Sequence, residues 1–279
     1  DAHVGERVDK LWVQGLGAYN VDIYKERLWK WVNTVIKFRD EDKNNLGLNK
    51  LVIHYLGDQV GGEQVYKGQP FYLDLSLTDQ LFLSVQEETN AILTLAEHFP
   101  EVEVFCVLGN HGRPGRKGDN HYRTNFDYIF LKILQTQLEK INNVKVIVSE
   151  SSVCLLKIEN SLILLAHGDE VKSYQHLPFY SLDRFVRRWT SLVGKRIDLA
   201  IIAHHHRECQ FDVAFGETMI NGCFPGGSSF SISRMQEAGI PKQKFFGIHS
   251  RQGKTWTYDI KLANIKELTP DKNNIYTPI

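Results

Sequence analysis

The sequence predicts a layered α/β fold, with short apolar runs as strands and amphipathic segments between them as helices. Three observations carry this. Four strand-length runs rich in Val, Ile and Leu occupy residues 51–56, 102–108, 162–166 and 199–203. Helical periodicity fills the intervals between them. After His206 the pattern changes to short extended stretches punctuated by Gly and aromatic residues.

The elements follow in order. Residues 24–39 place Leu28, Trp31, Val32, Val35 and Ile36 on one helical face, and a charged, Asn-rich connector spans 37–49. Residues 79–99 align Val85, Ile92, Leu95, Ala96 and Phe99 in the same way. Residues 124–141 align Phe126, Ile129, Phe130, Ile133, Leu134, Leu138 and Ile141. Asp183 opens a further helix that runs through Arg187 to Leu192. The four runs are short and mostly apolar, which suits strands buried on both faces. Stretches at 217–221, 245–249 and 255–262 read as a second, largely antiparallel sheet of the same domain. The polar end from Pro270 onward reads as a surface tail. The expected organisation is one domain over 1–279, with a core at 1–215, C-terminal strands of the second sheet at 216–262 and a tail at 263–279.

Composition narrows the function classes. Apolar residues at 42% and charged residues at 24% fit an ordinary globular protein rather than a disordered one. Lys plus Arg equals Asp plus Glu, 33 each, so a strongly basic nucleic-acid binder is not indicated. Two local basic clusters remain: Arg113, Arg116, Lys117 and Arg123, then Arg184, Arg187, Arg188, Lys195 and Arg196. No apolar run is long enough to span a bilayer, and no signal-peptide pattern opens the chain. Cys106, Cys154, Cys209 and Cys223 form no C-x-x-C pair and read as free thiols in a reducing compartment. A cytoplasmic protein without a membrane partner is therefore expected.

The chemistry lies where the runs end. Run 51–56 leads into Gly57-Asp58, run 102–108 into Gly109-Asn110-His111, run 162–166 into His167-Gly168-Asp169, and run 199–203 into His204-His205-His206. The chain itself opens Asp1-Ala2-His3. In open α/β sheets the ligand crevice lies beyond the carboxyl ends of the strands, so these ends should converge. Imidazole with carboxylate and amide oxygens suits a pair of transition-metal ions. Asp1 and Asp58 offset only two of the four charges that such a pair carries, leaving a cationic site that suits a phosphoryl group.

These five blocks, in this order, resemble the D-x-H, GD, GNH, His and GHxH motifs of the calcineurin-like metallophosphoesterase superfamily, over about the first three quarters of the chain. The resemblance implies a layered fold of two packed mixed sheets flanked by helices. It implies that Asp1, His3, Asp58 and His206 hold one metal. It implies that Asp58, Asn110, His167 and His204 hold the other, with Asp58 bridging. His111 would stand outside the ligand set as general acid or charged stabiliser at the leaving oxygen. Mn2+ is the expected ion, with Zn2+, Fe or Ni2+ as alternatives. More loosely, Gly109-Asn110-His111-Gly112-Arg113, Leu177-Pro178-Phe179-Tyr180 before an Arg-rich helix, and Asn221-Gly222 resemble phage-type members described as DNA-repair exonucleases. A phage origin would place the protein in the host cytoplasm.

The sequence departs from the superfamily pattern. Gly112 stands where an acid often follows GNH, and Ala203 replaces the Gly of GHxH. The phosphatase form GDxVDRG is absent, since residues 57–63 read Gly-Asp-Gln-Val-Gly-Gly-Glu. The expectation is a phosphodiesterase acting on nucleic acid, a DNA or RNA nuclease, with a phosphomonoesterase or protein Ser/Thr phosphatase as the alternative. Arg113 follows the GNH loop and could fork onto a substrate phosphate. His205, on an extended segment, should point away from its neighbours and support rather than ligate. His54 reads as a packed core histidine, and His121 and His176 as solvated loop residues. A strand of several apolar residues is expected ahead of Asp1, ending in the same D-x-H.

Overall fold

The structure is a computed structural model that describes residues 1–13, 15–41, 46–174, 178–213, 216–228, 231–232 and 238–264. Helix α1 (Val21–Asp40) starts at Asn20, whose side chain accepts from Ile23 N at 2.9 Å. Strand β1 (Lys50–Tyr55), helix α2 (Leu77–His98) and strand β2 (Glu101–Cys106) follow. Helix α3 (Phe126–Leu138) is capped by Asn125, which accepts from Asp127 N at 2.8 Å. Strand β3 (Val144–Val148) completes a parallel three-stranded sheet of order β1-β2-β3.

Strands β4 (Val153–Ile158) and β5 (Ser161–Ala166) form a hairpin, and helix α4 (Phe179–Val193) leads to β6 (Leu199–Ile202), β7 (Cys209–Val213) and β8 (Gly216–Ile220). These strands make a mixed sheet of order β4-β5-β6-β8-β7. Strands β9 (Lys242–His249) and β10 (Gly253–Lys261) pair antiparallel as a two-stranded ribbon.

The two sheets pack as layers. One face of β1-β2-β3 presents Leu51, Ile53, Val102, Val104, Cys106, Val144 and Val146 to the core shared with α1, α2 and α3. Between the sheets, Leu56, Phe105 and Val107 meet Leu156, Ile163, Leu165, Ile201 and Met219. The outer face of the larger sheet, through Leu164, Ala166, Ala200 and Ile202, packs against Leu182 and Val186 of α4. The result is the expected α/β layering, with both sheets between helices.

Two expectations are corrected. The stretch at 217–221 does not join an antiparallel sheet with the later strands: β8 runs parallel to β6 inside the larger sheet, and only β9 and β10 form the antiparallel ribbon. The reason is burial, because Thr218, Met219 and Ile220 are all buried and suit an interior position, whereas β9 and β10 carry half-exposed side chains. Nor is every run buried on both faces. β5 and β6 nearly are, but β1 and β2 alternate in burial. The outer edge of β1 pairs with no described strand and borders a groove of about 550 Å3 lined in part by Phe245, Phe246 and Trp256. The tail expected from Pro270 lies outside the described residues, as does His176. All four cysteines are free thiols. Among the described residues no helix is long and apolar enough to cross a membrane.

Candidate metal centre

All five motif ends meet where the two sheets abut. The opening segment enters alongside the loop after β1: Asp1 N donates to Gly57 O at 2.8 Å, His3 N to Asp58 O at 3.0 Å and Val4 N to Gln59 O at 2.9 Å. The loops after β1 and β2 then cross at van der Waals contact. A Cβ on Gly57 would lie 2.3 Å from Gly109 N, and one on Gly109 would lie 2.1 Å from Asp58 N. Glycine at both positions is therefore a requirement of the crossing, and Gly57 also adopts φ +92°.

One buried carboxylate ties these loops together. Asp127, at the start of α3, accepts from Asp58 N at 2.8 Å, Gln59 N at 3.1 Å, Val60 N at 3.3 Å and Gly109 N at 3.0 Å. Burial and the nearby Asp58 charge push its pKa up, while the amides of Gly109 and Val60 pull it down. The sequence reading missed Asp127, which looks like an ordinary first-turn helix acid; the one signal was Asn125 in capping position two residues earlier. The same clamp accounts for Gly112. A Cβ there would meet Asn125 Oδ1 at 2.1 Å and Asp127 N at 2.8 Å, so α3 occupies the space that a larger residue after the GNH motif would need.

Two groups of ligand atoms face each other. In the first, His3 Nε2 and His206 Nε2 stand 3.0 Å apart, and Asp1 Oδ1 lies 3.9 and 3.8 Å from them. Asp58 Oδ2 lies 3.9 Å from His3 Nε2. In the second, His167 Nε2 is 3.1 Å from Asp58 Oδ2 and 3.0 Å from Asn110 Oδ1, with the His204 ring 5.0 Å from the His167 ring. Asp58, His167 and His204 each present a ligand atom within one small group, as do Asp1, His3 and His206. Asp58 reaches both. The structure thus brings together Asp1, His3, Asp58, Asn110, His167, His204 and His206.

The fit to cations can be tested on the buried atoms. Asp1 Oδ1 is buried and accepts no hydrogen bond, while its partner oxygen accepts from His204 N at 2.8 Å. A buried carboxylate oxygen without a donor is costly, and a cation among His3, His206 and Asp58 would satisfy it. The histidine tautomers agree. His167 Nδ1 lies 2.7 Å from Leu56 O, which accepts its proton and turns Nε2 toward Asp58 and Asn110; against burial, the Asp58 carboxylate raises the His167 pKa, so Nε2 faces a place that favours positive charge, which a cation would supply. Burial holds the pKa values of His3 and His206 well below the ordinary imidazole range, and that of His204 falls to about 3. They stand neutral, as ligands must. Burial alone would raise Asp58, but the imidazoles of His167, His111 and His3 outweigh it and hold the carboxyl well below its usual range. These residues fit a pair of transition-metal ions.

The backbone around the centre is unusual. His3, Asp58, His204 and His206 all have positive φ, at +49°, +53°, +67° and +55°. Left-handed non-glycine residues cost of order 1–3 kcal/mol each and persist where surrounding structure dictates them. Four of the seven candidate ligands share this feature. It also corrects the reason given for His205. The 204–206 segment is a bend rather than an extended strand, and it directs His204 to one group and His206 to the other. His205 joins neither group; it is half-buried with Nε2 unpartnered, and burial lowers its pKa to about 4.

His111 sits at the mouth of the centre. Its backbone N donates to Asp58 Oδ1 at 2.7 Å and its Nδ1 lies 2.6 Å from Gly61 O. Its Nε2 points inward, 3.9 Å from Asp58 Oδ2, and the ring meets that of His3 edge to face at 4.3 Å. Arg113 Nε donates to Asn110 O at 3.0 Å, and its Nη2 is 3.7 Å from Asp169 Oδ2. Glu6 lies behind the first group, with Oε2 3.7 Å from His3 Nδ1, and its pKa rises to about 8 through burial and the Asp58 charge. His54 is in β1, where burial lowers its pKa to about 4.

No family model and no curated protein matches this chain. Several solved structures resemble it distantly. The zinc complex of Vps29 from Entamoeba histolytica is 16% identical, with a TM-score of 0.36 over 76% of this chain and 99% of that one. A hypothetical protein from Pyrococcus horikoshii OT3 is 13% identical, with a TM-score of 0.43 over 88% of this chain and 90% of that one. An archaeal phosphodiesterase is 10% identical, with a TM-score of 0.34 over 75% of this chain and 98% of that one. The functional reading therefore rests on the geometry of the site itself.

Proposed function

We propose that this protein is a dinuclear-metal phosphodiesterase that hydrolyses phosphodiester bonds of nucleic acid. One observation carries the reading: Asp58 stands between two groups of histidines, one of which holds a buried carboxylate oxygen that no donor satisfies. The resemblance of the five motifs to calcineurin-like metallophosphoesterases supports it. Asp1, His3, Asp58 and His206 would hold one ion, and Asp58, Asn110, His167 and His204 the other. When bound, such a pair of ions supplies Lewis-acid activation of water and neutralises charge on the phosphoryl oxygens.

The chain's own groups do the rest. With Nδ1–H engaged by Gly61 O, His111 presents Nε2 to the centre. Protonated there, it can donate the Nε2 proton to the departing oxygen. Asp127 holds the loops that set the spacing of Asp58 and Asn110. Gly61 O and the Asp58 side chain together fix His111, so its orientation needs no acid at position 112. The absence of GDxVDRG and the Gly112-Arg113 stretch favour a diester over a phosphoprotein substrate.

The test is a side-by-side assay with manganese on single-stranded DNA, duplex DNA, RNA, a small aryl phosphodiester and an aryl phosphomonoester. The reading expects cleavage of nucleic acid and of the diester above the monoester. Turnover of phosphoserine peptides without cleavage of any nucleic acid would reverse it.

A further inference from the structure

A second set of groups lies beside the metal centre. A cavity of about 210 Å3 opens from His167 and Asp169 and is lined by Arg116, Lys117, Tyr122 and, from the other side, Phe185 of α4. The loop after the GNH motif and helix α4 therefore face each other across it. Their cations are not all spent on ion pairs. Lys117 and Arg113 bond Asp169, Arg123 pairs with Glu150, and Arg187 pairs with Asp183. Among the described residues, Arg116, Arg184 and Arg188 have no carboxylate partner, in a chain whose charges balance overall. All three are exposed.

The placement on α4 is ordered. Leu182 and Val186 turn into the core, and Phe185 lines the cavity. Tyr180, Arg184 and Arg188 follow at i, i+4 and i+8, so they form one stripe, with a step of about 6 Å along the axis. Tyr180 is 78% exposed, although its neighbour Phe179 packs on Phe211 at 4.4 Å between ring centroids. Apart from an edge contact with Phe179 at 5.6 Å between ring centroids, this aromatic ring stands in solvent at the head of a row of unpaired guanidiniums. Guanidiniums fork onto phosphate oxygens, and an exposed aromatic face stacks on an unpaired base. A base is available for stacking only in a single strand.

We propose that the Tyr180-Arg184-Arg188 stripe of α4, beside the cavity that Phe185 and Arg116 line, is a track for single-stranded polynucleotide leading to the metal centre. Arg184, Arg188 and Arg116 take successive phosphates, and Tyr180 stacks a base. This deepens the phosphodiesterase reading and rests on it for the direction of the track, but binding can be measured without turnover.

The experiment uses the full chain. Binding of a fluorescent oligothymidylate is followed by anisotropy in chelator, over a series of salt concentrations. Hydrolysis of a small aryl phosphodiester is followed in parallel with manganese. Arg184→Ala/Arg188→Ala should weaken oligothymidylate binding tenfold or more and lower the slope of log affinity against log salt by roughly 1.4, at about 0.7 per phosphate contact. Tyr180→Ala should weaken binding about fivefold or more without changing the slope, and Tyr180→Phe should restore it. Small-diester hydrolysis, which does not reach α4, should be retained and reports an intact centre. Unchanged oligothymidylate binding in the double variant, or duplex DNA bound as tightly as the single strand, overturns the track. If the wild-type chain hydrolyses no diester yet loses oligothymidylate with the double variant, the track stands and the phosphodiesterase reading fails.

Discussion

The loops that carry Asp58 and Asn110 and the bend that carries His204 and His206 meet at one centre, yet they hold their backbones by different means. On the first side, four amides converge on the buried Asp127 carboxylate, which is not itself a candidate ligand. On the second side, the bend is held by Asp1 Oδ2 on His204 N, by Ala203 N on His167 O and by a tight contact of His205 N with Ala203 O. There the candidate ligands brace one another, and two of them carry left-handed backbone. The first half should be preformed whatever the metal content, whereas the second should depend on what Asp1 does.

Four predictions bear on this difference, from the largest effect to the smallest. Asp58→Ala removes the one side chain shared by both groups. It should abolish turnover and leave less than one ion per chain by elemental analysis, while the unaffected loop amides keep the fold. His111→Ala should retain full metal content and lose about 10²–10⁴-fold in rate with an ordinary leaving group; near-normal turnover would remove His111 from the reaction. Asp127→Ala strands four buried donors, so thermal melting should show a loss of about 3 kcal/mol or more, at ~1–3 kcal/mol per orphaned group. Asp127→Asn keeps an acceptor and should lose less. Melting equal to wild type in both would show that the loops are held by something other than Asp127.

The smallest effect is on pH. His54 and His205 lie outside both ligand groups, and burial lowers each to about 4 from an ordinary 6.5. Their folded forms are neutral, so the unfolded chain binds protons first. The stability they favour is present above pH 6.5 and is lost as pH falls from 6.5 toward 4. His54→Leu should flatten the decline of melting temperature across that window. An unchanged slope would mean that His54 charges freely in the folded protein.

The candidate ligands were legible because each follows an apolar run, and the helices were legible from their apolar periodicity. Strands β3, β4 and β7 went unread: each is only five or six residues long, and Lys145, Lys157 and Asp212 interrupt them. The placement of β8 depended on pairing with β6, a contact between distant segments that local pattern does not encode. Asp127 was hidden for the same reason, since its role is defined by loops 18 and 69 residues away in sequence. Left-handed backbone at His3, Asp58, His204 and His206 was also invisible, because nothing in these residue types demands it. The glycines at 57, 109 and 112 could be read as motif positions, but their reason, the crossing of two loops and the intrusion of α3, needed the fold.

The account turns on a two-metal centre in which Asp58 is shared. Metal titration of the apo chain with manganese or zinc, with elemental analysis of the product, tests this most directly. Wild-type protein should take up about two ions per chain, as a paired site requires. Asp1→Asn should weaken uptake of one ion and leave the other near normal, because Asp1 offers its free carboxylate oxygen only to the group of His3 and His206, while an Asn Oδ1 can still accept from His204 N. Absence of stoichiometric metal after reconstitution, or uptake of a single ion that Asp58→Ala leaves untouched, would contradict it.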